Sequence, residues 1–143
     1  MAVSLEQLSA LLTNVGLRHH LDREEATLHV LLATTRYVNA RGERLAIVRI
    51  TTADGGRLCR ATIERATPTG HDLAATCLAA CGAVADVPLS GIEHDRVTNS
   101  LRLVAEIPVE DGTLTPAQLG AIVDSLAVGA ESVHRAAAWR EAA

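Results

Sequence analysis

Residues 44–64 read Arg-Leu-Ala-Ile-Val-Arg-Ile-Thr-Thr-Ala-Asp-Gly-Gly-Arg-Leu-Cys-Arg-Ala-Thr-Ile-Glu, and this stretch decides the fold class. Side chains on a strand alternate between faces, so Leu45 and Ile47 stand against Ala46, Val48 and Ile50. Leu58, Arg60 and Thr62 likewise oppose Cys59, Ala61 and Ile63. Between the two runs, Asp54-Gly55-Gly56 supplies residues that tolerate positive φ, the chemistry of a tight hairpin turn. Two antiparallel strands, Arg44–Thr52 and Arg57–Glu64, follow from the pattern.

Working outward, the preceding segment from about Glu25 to Tyr37 alternates in the same way. Leu28, Val30 and Leu32 oppose His29, Leu31 and Ala33, and Asn39 to Gly42 is turn-forming. This gives a three-stranded meander. Ahead of it, Ser4 and Gln7 form a capping box, with Val3 and Leu8 at the staple positions. Leu5, Leu8, Leu12 and Val15 recur at helical spacing, and Gly16 is the expected stop. After the meander, Pro68-Thr69-Gly70 breaks the period. A second helix is expected to start near Thr69, with Leu73, Cys77, Leu78, Cys81 and Val84 as its apolar stripe and Pro88 ending the segment. Strands follow at Gly91–Val97 and Leu101–Val109, the second with Leu101, Leu103, Ala105 and Ile107 on one face.

Thr115-Pro116-Ala117-Gln118 then places Thr at an N-cap, Pro at N1 and Gln at N3, with Leu114 and Leu119 as staple. The last helix runs to about Trp139 on a stripe of Leu119, Ile122, Val123, Leu126, Val133 and Ala137. The expected order is α-β-β-β-α-β-β-α. Strands in runs of three and two argue an α+β domain with a five-stranded antiparallel sheet and segregated helices. A doubly wound fold would alternate strand and helix. With 143 residues the chain fits one domain, residues 1–143.

Composition narrows the function classes. The net charge is -4, there is no Phe, and Tyr37 and Trp139 are the single Tyr and Trp. Neither phosphate attraction nor base-stacking platforms are on offer, so no nucleic-acid partner is expected. All 13 basic residues are Arg, so no lysine can serve as Schiff base or general base. The start of the chain lacks a secretory signal's basic and apolar regions, and no apolar run approaches the roughly 20 residues of a membrane span. A cytoplasmic protein without a membrane partner is expected.

No catalytic constellation emerges. Cys77 and Cys81 would share a helix face, but a zinc site needs further ligands and their stripe is apolar, so both are read as core packing. His19-His20 reads as a solvated loop pair. His94-Asp95 resembles an acid–base pair, yet neighbours on a strand point to opposite faces. Glu24-Glu25, Glu64 and Glu110-Asp111 are best explained as charges at loops and sheet edges. Neither a nucleophile elbow, a phosphate loop nor an EF-hand pattern is present. No catalytic, cofactor or metal residue is assigned, and no cofactor is expected.

The order of elements resembles the fold of type III secretion chaperones and of the YbjN-like proteins, the latter labelled bacterial sensory transduction regulators. The second half carries the likeness: a helix with His71-Asp72-Leu73-Ala74-Ala75-Thr76-Cys77-Leu78, a hairpin, the strand Leu101–Val109, and the cap phrase Leu114-Thr115-Pro116-Ala117-Gln118-Leu119. It spans about residues 4–138. YbjN-like domains carry an Asn and aromatic residues around the second helix and hairpin, where this chain is Ala-rich. The resemblance implies non-enzymatic work: holding a partially folded client or regulating a partner protein. A sheet covered on one face leaves the other open, and there Arg49, Arg60 and Arg102 stand among Leu and Val as candidate partner-binding residues. Edge strands offer main-chain pairing as a second route. Homodimerisation is a further use of the surface, with Gly120, Ala121, Ala127, Gly129 and Ala130 permitting close approach of the last helix. The alternative is a small-molecule sensor, for which His29, Arg49 and Cys59 would have to line one cavity.

Overall fold

A computed structural model describes residues 2–68, 72–109, 111 and 113–142. The order is α1 (Leu5–Asn14), β1 (His19–Asp22), β2 (Thr27–Ala33), β3 (Leu45–Ala53), β4 (Leu58–Pro68), α2 (Leu73–Val84), β5 (Gly91–Asp95), β6 (Ser100–Pro108) and α3 (Pro116–Ala142). The strands form one antiparallel sheet in the order β1-β2-β3-β4-β6-β5. The architecture is α+β, as the strand runs predicted.

The sheet has six strands where the sequence pattern predicted five. The extra one is β1, in which His20 pairs with His29 and Leu21 with Leu28. Four residues are too few to show a period. His19 accordingly is no solvated loop residue: its Nε2 meets Ser9 Oγ at 2.8 Å and its Nδ1 meets the Leu17 carbonyl at 2.9 Å. Strand β2 ends at Ala33, short of the predicted Tyr37. Tyr37 instead lies in the following loop, 2% exposed, with its ring edge-on to His134.

Both predicted capping boxes form. Ser4 Oγ accepts from the Gln7 amide and Gln7 Oε1 from the Ser4 amide; Thr115 and Gln118 exchange the same pair of bonds. Gly16 follows the first helix at φ 73°, as its C′ role requires. The start of the second helix predicted at Thr69 lies outside the described residues; Asp72 caps α2 by accepting from the Ala75 amide.

All three helices pack on one face of the sheet. Leu28 and Val30 of β2, Ala46, Val48 and Ile50 of β3, Cys59, Ala61 and Ile63 of β4, and Leu101, Leu103 and Ala105 of β6 are buried beneath them. From α3 come Leu119, Ile122, Val123, Leu126, Ala130 and Val133. A side chain at Gly129 would put its Cβ 3.3 Å from Leu103, so the small residues there let α3 lie close to its own sheet.

Helix α2 corrects the expected stripe. Ala80 and Val84 are buried and Cys77 is half-buried, while Leu73, Leu78 and Cys81 are exposed, Leu78 at 77%. The helix is apolar all round, so spacing alone could not tell its inner face. Core packing therefore holds in part for Cys77 and fails for Cys81. No helix among the described residues is long and apolar enough to cross a membrane.

Candidate functional site

The face of the sheet away from the helices is open, and register places its side chains. One row crosses all six strands: His20, His29, Arg49, Thr62, Val104 and Gly91, each paired with the next. Beside it run Thr51, Arg60 and Glu106 on one side of the sheet, and Glu93 paired with Arg102 on β5 and β6. The three arginines singled out by alternation all lie on this face. His29 and Arg49 share it, whereas Cys59 is buried on the opposite face, so the three do not line one cavity.

Arg60 and Arg102 are fastened. Arg60 donates to Glu93 at 2.7 Å and to Glu106. Arg102 lies 3.4 Å from Glu64, 3.6 Å from Glu93 and 3.7 Å from Asp95. Each strand contributes a charge opposite to that of its neighbour, and Glu93 bridges both guanidiniums. Burial works against the Arg60 charge, but Glu93 and Glu106 outweigh it and raise its pKa. Four carboxylates surround two arginines, so this half of the face carries an acidic excess. Strand alternation could place the arginines; it could not show their partners. Arg60 meets residues 33 and 46 positions away, and Arg102 meets Glu64, 38 positions away, as well as Glu93 and Asp95 across the β5–β6 hairpin.

The other half differs. Arg49 is held only at 3.8 Å from Glu25. Around it are the half-buried apolar side chains Leu31, Ile47 and Leu45, with Leu31 opposite Ile47 and Leu45 opposite the exposed Ala33. Next to them the β1–β2 hairpin gathers Asp22, Glu25 and His29, whose ligating atoms lie within 4.8 Å of one another. Asp22 Oδ1 accepts from the Glu24 and Glu25 amides, each at 3.0 Å. The Glu25 amide is the main reason its carboxyl sits below the usual carboxylate value; burial opposes, and Glu24, His20 and His29 add to the lowering. The sequence shows these residues as separate charges, and only the unforeseen β1 pairing brings them together.

On the helix side, Glu131 of α3 caps the β2–β3 loop. Its carboxylate accepts from the amides of Thr35 at 2.6 Å, Arg36 at 3.0 Å and Tyr37 at 3.0 Å. An open groove lined by Ala33, Thr34, Ala127, Val128, Glu131 and Arg135 runs beside this contact. Cys59 offers no thiol chemistry: burial pushes its pKa up to about 11, which keeps it protonated at neutral pH.

No protein-family model matches the sequence. Nor does any curated protein. Solved structures do match in fold. A chain from the structure of the HopA1-SchA chaperone–effector complex superposes with TM-score 0.61 at 10% identity, covering 90% of each chain. The crystal structure of YbjN from E. coli superposes with TM-score 0.59 at 15% identity, covering 96% of this chain and 93% of that one. These are the two groups that the order of elements resembles, and at such identities the likeness is one of fold.

Proposed function

We propose that this chain is a non-enzymatic protein-binding domain, chaperone-like or regulatory, that holds a segment of a partner protein on its open sheet face. The observation that carries the reading is the one-sided architecture: three helices cover one face of a six-stranded sheet, and the other presents an apolar strip of Leu31, Ile47 and Leu45 with Arg49 beside it and the carboxylate-bound Arg60 and Arg102 on the neighbouring strands. Apolar side chains flanked by charges suit an amphipathic or extended segment, whose apolar positions would cover the strip while its polar ones reach the rim. The fold it shares with a chain of a chaperone–effector complex supports the same reading. Edge strands β1 and β5 offer main-chain pairing to the same segment.

A photo-crosslinking residue placed at Ile47 or at Thr51, with one at Asp124 on the outer side of α3 as control, tests this. The expected outcome is a specific partner trapped from the host through Ile47 or Thr51 and not through Asp124. Its purified form then binds, and Ile47→Asp together with Arg60→Glu weakens that binding at least tenfold. Trapping only through Asp124, or binding indifferent to the open-face variants, would overturn the reading.

A further inference from the structure

We propose that Asp22, Glu25, His29 and His20 form a binding site for a first-row transition-metal cation, Zn2+ above all, at the β1–β2 end of the open face. The proposal is independent of what that face binds. Three of the four donors already converge, with the ligating atoms of Asp22, Glu25 and His29 within 4.8 Å of one another. Around a tetrahedral zinc, with bonds near 2.1 Å, ligand atoms stand about 3.4 Å apart, so the cluster must contract by roughly an ångström. The Glu25 side chain, 62% exposed, has the freedom to make that movement. Asp22 is already aimed by two amide donors, as the outer hydrogen bonds of metal ligands usually are.

The fourth donor comes from the sheet itself. His20 is directly opposite His29 in the β1–β2 ladder, so both imidazoles project from the same face. Opposite residues have Cβ atoms about 5 Å apart, within reach of one shared ion. Two imidazoles and two carboxylates favour zinc, copper and nickel; an all-oxygen set would favour magnesium or calcium. One group opposes the cation. Arg49 pairs with His29 in register and stands 3.8 Å from Glu25. Metal binding must therefore take Glu25 away from Arg49, and removing that positive charge should tighten the site. Since the ligands come from β1, β2 and their turn, a bound ion would clamp the edge strand to its neighbour.

Titration of the full chain with ZnCl2 in a non-chelating buffer, followed calorimetrically, tests the site. A Cys77→Ser/Cys81→Ser background removes the competing thiols. The expected result is one Zn2+ per chain, unaffected by excess Mg2+. Binding weakens at least about tenfold in each of His29→Ala, His20→Ala and Asp22→Asn, and tightens in Arg49→Met. In NMR spectra the His20 and His29 ring signals move while that of His94 does not. Asp22→Asn and Glu25→Gln preserve shape, so they test the ligands even where a truncation disturbs folding. No saturable binding, binding that vanishes with the cysteines, or binding untouched by the histidine and carboxylate variants would overturn the proposal.

Discussion

Glu131 shows how much a single side chain can organise. One carboxylate satisfies three successive amides of the β2–β3 loop, which would otherwise turn to water beside the buried Tyr37. Glu131→Ala should cost about 1 kcal/mol in urea denaturation, since the Thr35 and Arg36 amides belong to exposed residues and only the Tyr37 amide belongs to a buried one. The pH dependence has a definite sign. Burial raises the Glu131 pKa, but the donations from Thr35, Tyr37 and Arg36 outweigh it and hold the native value below the ordinary 4.5. Its contribution is therefore complete above that ordinary value and disappears as pH falls through the lowered native one. Wild type and Glu131→Gln should differ most near neutral pH and converge only as pH falls through the lowered native value, read from their urea midpoints. Gly56 is a second such position. At φ 85° an added Cβ would stand 2.7 Å from the Val3 carbonyl oxygen, whose own amide donates to Gly56. Gly56→Ala should cost about 1–3 kcal/mol in the same assay. The glycine was legible as hairpin chemistry; its contact with Val3, some fifty positions away in the chain, was not.

Among the elements, legibility followed the range of the interaction. Helix starts at Ser4 and Thr115 could be read because a capping box is closed within four residues. Strands β3, β4 and β6 could be read because one buried face enforces alternation. Strand β1 could not, since what makes it a strand is its pairing with β2 and the packing of α1. Helix α2 has the opposite problem, too many apolar positions to choose among. Its orientation leads to a contrast that hydrophobicity alone would invert. Leu78→Gln should change stability by no more than about 0.5 kcal/mol, whereas the smaller truncation Val84→Ala should cost about 1.5 kcal/mol or more. Thermal and chemical denaturation of the two variants would check this. For the open face, alternation placed Arg49, Arg60 and Arg102 together, but the carboxylates around them and the Asp22–His29 cluster needed the sheet register.

At the scale of the whole molecule, protection should grade across the sheet. Strands β3, β4 and β6 are each paired on both sides and covered by helices, while β1 and β5 are short edges. Amide hydrogen exchange should be slowest in Val48–Ile50, Ala61–Ile63 and Leu103–Ala105 and fastest in β1 and β5. Uniform exchange over all six strands would contradict this layering. The strand order has a consequence for the growing polypeptide. As β4 leaves the ribosome its only available neighbour is β3; the other flank belongs to β6, still unmade behind α2 and β5. A nascent meander halted there presents a bare strand edge rich in apolar residues, a surface prone to pairing with other chains. Translation ending near Val84 should yield aggregates, and synthesis carried through Pro108 should supply the missing neighbour and suppress them.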